Sequence, residues 1–231
     1  MIKKSISRLK NILSIGSDYY HGELYALFDD LFIKLEKQII SPDEAKKKVN
    51  DLFHSNKNLQ IQFKELTKNS KSSWKFIGNK IGLFKRIRFG VIYLEDQEYE
   101  PLHYHDGFIS FQIVLHGSCV LDECDKLEIK DNNISYKKHN RVTLNENDVM
   151  LNYSQYRDIH GFGAINGPAY ILSIGKYYGF LGKFKKFKTK LKTNNRLYID
   201  SSNSNKISEK IYISPLISKE EAYKKYTKLE M

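Results

Sequence analysis

Residues Pro101 to Gly117 read PLHYHDGFISFQIVLHG. In an extended strand residues i and i+2 project to the same face, so His103 and His105 stand side by side as half of a metal site. A third ligand must come from elsewhere. His160, in the strand-like run Arg157-Asp158-Ile159-His160-Gly161-Phe162, is the candidate. The bland alternative is a chance pair of surface or satisfied core histidines, because short motifs recur without function. The β-rich pattern on both sides, the Asp106-Gly107 turn and the distant His160 weigh toward the metal.

Around this stretch the apolar residues repeat with a period of two. Ile87, Phe89, Val91 and Tyr93 alternate within Lys85 to Leu94 and predict a strand. Further short strands are expected at Ile109 to Leu115, Ser118 to Leu121, Leu127 to Ile129, Ile134 to Tyr136, Arg141 to Leu144, Val149 to Leu151, Asp158 to Phe162 and Ala169 to Ile174. Turn clusters such as Asp131-Asn132-Asn133 and Asn166-Gly167-Pro168 separate them. So many short strands at close spacing imply a sandwich or a small antiparallel barrel.

The N-terminal part is helical in pattern. Leu24, Leu27, Phe28, Leu31, Leu35 and Ile39 recur at helical spacing between Tyr19 and Ile40. Ser41-Pro42-Asp43-Glu44 reads as a capping box opening a second helix to about Phe53, with Ala45, Val49 and Leu52 inward. Leu59 to Leu66 fits strand and helix equally, and Asn69 to Ser73 reads as a linker. Beyond Gly182 lie a basic run, a polar loop at Asp200 to Asn205 and a helix capped by Ser218-Lys219-Glu220-Glu221. The expected organisation is a helical N-terminal extension over 1–80, a barrel over 81–182 and a basic C-terminal extension with a terminal helix over 183–231.

A chain of 231 residues, 41% of them hydrophobic, can bury a sizeable core. No apolar run approaches the roughly 18 residues of a membrane span, and the basic start lacks a continuous apolar segment, so a cytoplasmic protein is expected. Cys119 and Cys124 are the only cysteines. Their odd separation puts them on opposite faces if one strand runs through both, and it matches no zinc pattern. A net charge of +11 invites an acidic partner. The joint abundance of Lys, Asn, Ile and Tyr nevertheless favours solvated surface over nucleic acid, with KFKKFKTKLK at 183–192 as the one candidate basic patch.

Three segments, FGVIYLEDQEYEPLHYHDGF, FQIVLHGSCVLDECD and DIHGFGAINGPAYILSIGKYY, together resemble the cupin thiol dioxygenases, most closely the plant cysteine oxidase and cysteamine dioxygenase branch. The resemblance covers about Phe89 to Tyr178. It implies a mainly β fold, the cupin double-stranded β-helix or jelly-roll barrel, here with an α-helical N-terminal extension and a short C-terminal helix. It also implies Fe(II) held by His103, His105 and His160. Many other cupins add a Glu four or five residues after H-x-H, where this chain has Ile109 and Ser110, which favours a site of three histidines.

The implied activity is oxidation of a thiol to a sulfinate with O2. The substrate is a small thiol such as cysteine or cysteamine, or the N-terminal Cys of a peptide, and the protein a monomer or homodimer. A cupin of other metal chemistry, or a small-molecule binding module, is the alternative. A family tyrosine has its rough counterpart in Tyr177 or Tyr178, and Tyr178 and Tyr153 are the catalytic candidates. Gln112, Ser173, Arg157 and Phe108 are the substrate-binding candidates. Ser173 stands where the branch carries an Asp, Tyr104 where an Asp or Asn is usual, and Ser110 where animal cysteine dioxygenase has its cross-linking cysteine.

Overall fold

The computed structural model describes residues 19–67, 74–81, 85–105, 109–153, 156–178 and 196–229. It is mainly antiparallel β with a few helices. Helices α1 (Tyr19–Glu36), α2 (Pro42–Ser55) and α3 (Lys57–Thr67) precede strands β1 (Trp74–Ile81), β2 (Lys85–Leu94), β3 (Tyr99–His105) and β4 (Ile109–Lys130). Then come β5 (Asn133–Lys138), β6 (Val142–Leu144), β7 (Val149–Tyr153), β8 (Ile159–Tyr178), β9 (Arg196–Ile199), β10 (Asn205–Lys206), β11 (Ile211–Ile217) and helix α4 (Lys219–Lys225). The expected linker at 69–73, the Asp106-Gly107 turn, Phe108 and the basic run at 183–192 lie outside the described residues.

The helices cover one outer face of the sheet. Ser41 accepts from the Glu44 amide at 3.2 Å while the Glu44 carboxylate accepts from the Ser41 amide at 2.8 Å, the reciprocal pair that starts α2 after Pro42. Leu24, Phe28, Leu31 and Leu35 of α1 are buried against Phe89, Phe111, Leu172 and Ile174 of the sheet. Leu27 and Ile39, expected in the same stripe, are 36% and 63% exposed, because Phe32 takes the inward position instead. In α2 the inward residues are Ala45, Val49 and Phe53, with Leu52 only partly buried. The ambiguous Leu59 to Leu66 segment is helical, since Leu59 and Phe63 meet the core while Ile61 faces water.

Among the described residues the strands form an 11-stranded antiparallel sheet. Its two longest strands, β4 and β8, pair along nearly their whole lengths. Sequence patterning divides each into shorter strands. The structure keeps them continuous, because the breaks are absorbed by bulges and by positive-φ residues rather than by turns. Gly117 (φ +79°) lies so close to β8 that a Cβ there would sit 2.4 Å from the Pro168 carbonyl oxygen, and Asn166 and Gly167 take φ +59° and +123° opposite it.

Strands β8, β3, β9, β11, β5 and β4 pair in succession and β4 returns to β8, closing a ring. Residues from these strands fill its inside, among them Tyr104, Cys124, Tyr136, Ile159 and Ile199. A second core, with Ile92, Val114, Leu121, Met150, Phe162 and Ile171, lies on the other face of β4 and β8. Alternation therefore sends Cys119 to one core and Cys124 to the other from a single strand, and both thiols are free and buried. The tail drawn at 183–231 as an extension places β9 against β3 and β11 against β5, so after residue 195 it belongs to the sheet.

Candidate metal centre

Strand alternation builds the site. On β3, Leu102 and Tyr104 enter the ring core, so His103 and His105 project to the opposite face. On β8, Ile159 enters the ring core and His160 projects with Phe162 to the same face as the two β3 histidines. The register then sets His103 beside His160 across the β3–β8 pair. The ligand atoms of His103, His105 and His160 all lie within 4.8 Å of one another. No other group of three potential ligand residues occurs among the described residues.

Several observations test whether a metal ion fits. His160 is 0% exposed, and neither of its ring nitrogens has a hydrogen-bond partner among the described residues. A buried polar atom left unpaired costs about 1–3 kcal/mol, so this imidazole is built for a ligand. His103 Nδ1 lies 2.7 Å from the Pro101 carbonyl oxygen, the acceptor that fixes Nδ1 as the protonated nitrogen and leaves Nε2 as a lone-pair donor. His103 Nε2 and His105 Nε2 are 3.0 Å apart. That is the separation of two neighbouring donors on one ion with bonds of about 2.1 Å, and equally that of one protonated nitrogen donating to the other without a metal. The residues fit a metal ion.

The charge state agrees. Burial, followed by His160, Arg196 and His105, holds His103 well below the ordinary imidazole value, and burial with His160 and Arg196 does the same to His105. Burial and Arg196 push His160 down to about 3. All three rings are neutral at pH 7, the form that ligates metals. Two carboxylates flank the triad, and each is occupied by an arginine. Glu123 stands opposite His160 on β4 and pairs with Arg157; Glu100 pairs with Arg196 and accepts from Tyr223 at 2.5 Å.

The remaining sequence candidates divide. Gln112 and Ser173 are register partners, both buried, and sit on the face whose apolar members are Val114 and Ile171. Asn152 joins them, its Nδ2 3.4 Å from Ser110 Oγ. The oxygens Gln112 Oε1 and Asn152 Oδ1 have no hydrogen-bond partner among the described residues. Tyr153 is not brought to the triad: it packs on the helix-covered core, and its hydroxyl donates to the Leu35 carbonyl at 3.2 Å. Alternation on β7 puts it opposite to Asn152. Arg157 is a carboxylate clamp for Glu123, with its amide donating to Asp125, rather than a free anion contact. Tyr178 ends β8, and its side chain lies outside the described residues.

Sequence reasoning missed Glu100, Glu123, Arg196 and Tyr198. Tyr198 packs on His103 at 5.5 Å between ring centroids from a strand that follows the basic run, and its hydroxyl is buried beside Arg196 and Tyr223. Nothing in the H-x-H neighbourhood announces a strand 90 residues later. Glu123 carried a usable signal, since charged residues are almost never fully buried without a partner and it falls on the inward parity of β4.

No family model matches the chain, and no curated protein matches it. Among solved structures it is similar to a cupin superfamily protein from Desulfitobacterium hafniense, at 18% identity over 38% of this chain and 64% of the other, with TM-score 0.27. It is similar also to a sugar phosphate isomerase from a cupin superfamily of Silicibacter pomeroyi, at 21% identity over 41% and 57%, with TM-score 0.29. A third is a hydroquinone 1,2-dioxygenase in complex with Cd2+ and 4-hydroxybenzonitrile, at 18% identity over 48% and 68%, with TM-score 0.35. The antiparallel architecture is consistent with a jelly-roll cupin.

Proposed function

We propose that the chain is a non-haem Fe(II) thiol dioxygenase of cupin type, converting R–SH and O2 to R–SO2⁻ and a proton, with both oxygen atoms going to sulfur. One observation carries this reading: three neutral imidazoles converge in a buried site whose two flanking carboxylates are each held by an arginine. A ferrous ion on His103, His105 and His160 would keep its full double charge and so favour an anionic sulfur ligand and O2. The chain itself keeps the rings unprotonated by burial, orients His103 through the Pro101 carbonyl, and excludes bulk water.

Gln112, Asn152 and Ser173 supply the polar wall. The unpaired amide oxygens accept hydrogen bonds, so they suit a substrate that carries N–H donors beside its thiol, such as cysteamine or an N-terminal Cys. The buried free thiols Cys119 and Cys124 agree with a reducing compartment.

One observation favours a second reading, a metal-holding or small-molecule binding cupin without this chemistry: Tyr153, a catalytic candidate, is turned to Leu35 and away from the triad. Mass spectrometry in labelled O2 separates the two. The Fe(II)-loaded protein is expected to add two labelled oxygens to at least one of cysteine, cysteamine, 3-mercaptopropionate or a Cys-initiated peptide. A panel left entirely unoxidised transfers the assignment to the second reading.

A further inference from the structure

The ring of strands that turns its histidines outward holds a separate cavity at one end of its own core. Its volume is about 240 Å³, and its walls include Leu102, Cys124 and Tyr136 of the ring interior. That volume is below the about 300 Å³ at which drug-sized pockets begin, so its occupant is a small metabolite. Because Leu102 and His103 are neighbours on β3, alternation puts this cavity on the opposite face of the sheet from the triad.

The lining is positively charged. Lys138, Arg141 and Lys228 face a single carboxylate, Asp122. Asp122 is already occupied: Arg141 Nε and Nη2 donate to its two oxygens at 3.0 and 2.8 Å, and the Tyr99 hydroxyl donates at 2.9 Å. Among the described residues neither Lys138 nor Lys228 has an ion pair or a hydrogen-bonded partner for its ammonium group. The hydroxyls of Tyr136, Ser204 and Tyr226 complete a polar wall, each already hydrogen-bonded within the protein to Ser214, Ser202 or Asp200, with Tyr136 and Tyr212 stacked at 5.9 Å. The backbone on either side of Lys228 is fixed, because the Tyr99 amide donates to the Thr227 carbonyl and the Leu229 amide to the Gln97 carbonyl, while the Lys138 and Lys228 side chains are exposed. The Cys124 thiol at the floor is pushed up to about 12 by burial, so thiol chemistry is not what the cavity offers.

We propose that this cavity is a second ligand site that takes a small phosphate monoester: two ammonium groups without an ion pair match its dianion, and the volume limits the rest of the molecule to a small body. The site is independent of the thiol dioxygenase reading. Titration calorimetry on the full chain, at constant ionic strength, with glycerol 3-phosphate, inorganic phosphate and glycerol as probes tests it.

Saturable binding of glycerol 3-phosphate at about one per chain is expected, with inorganic phosphate weaker and glycerol silent. Lys138→Gln and Lys228→Gln should each weaken binding at least about tenfold, since each removes a charge-assisted contact. Lys48→Gln, an exposed lysine on α2 that does not line the cavity, should leave it unchanged. Circular dichroism confirms that each variant is folded. Absence of saturable binding, or binding that survives both lysine substitutions, overturns the proposal. So does equal binding of glycerol.

Discussion

At the scale of single residues, the site depends on positions with no room to change. Gly161 follows His160, and a Cβ there would stand 2.3 Å from the Tyr99 hydroxyl oxygen and 3.1 Å from the Glu100 carbonyl oxygen. Gly161→Ala should therefore cost about 1–3 kcal/mol in urea unfolding and lower metal affinity by displacing His160. Phe28 is fully buried and packs on Phe111 at 5.5 Å and Phe89 at 6.0 Å between ring centroids. Phe28→Ala should cost about 3–5 kcal/mol by leaving a cavity, without altering the ligand set, so metal stoichiometry under native conditions stays the same.

At the scale of elements, the C-terminal strands matter most. Strand β9 pairs with β3 through His103–Tyr198 and His105–Arg196, so it backs the strand that carries two ligands. A chain ending before Arg196 should lose the ring and elute as aggregate in size-exclusion chromatography. Asp200 ties this region to α4. Burial alone would raise its carboxyl, but hydrogen bonds from Lys225, Tyr226, Ser202 and Asn203 outweigh it and hold it well below the usual carboxylate range. A depressed folded-state value stabilises fully above the unfolded value of about 3.9 and is lost as pH falls through the folded value. The stability gap between wild type and Asp200→Asn should thus be largest at pH 7 and shrink below about pH 4 in urea titrations.

Elements were legible wherever the pattern was local. Strand Lys85–Leu94, the Ser41 cap and the opposite faces of Cys119 and Cys124 all follow from periodicity or capping chemistry. The H-x-H pair and His160 were legible because side-chain alternation depends only on the strand itself. Long-range pairing was not. Arg196–Ile199 is four residues beside a basic run, too short for a periodic signal, and is a strand only because β3 and β11 flank it. The unity of β4 and β8 was hidden by Gly117 and by Asn166-Gly167, which read as turns but serve as bulges. The opposite orientation of Tyr153 was recoverable from Val149–Tyr153 alternation once Asn152 is placed inward.

At the scale of the molecule, three helices cover the outside of a sheet whose other face forms the interior core. Burying each large apolar side chain of that helical layer contributes about 1.5–3 kcal/mol, and removing the layer exposes Phe89, Phe111, Leu172 and Ile174 together. A chain beginning at Trp74 should accordingly aggregate or melt well below the full chain in a thermal scan. Equal stability would make the helices a separate module. No helix among the described residues is long and apolar enough to cross a membrane.

The central claim is that His103, His105 and His160 together hold one metal ion. Its most direct measurement is anaerobic Fe(II) loading followed by desalting and elemental analysis of the wild type beside His103→Ala, His105→Ala and His160→Ala, each checked for native circular dichroism. The account predicts about one iron per wild-type chain and close to none in each folded variant, because a site of three ligands cannot spare one. Iron retained at wild-type levels in any of the three, or absent from the wild type, would contradict it.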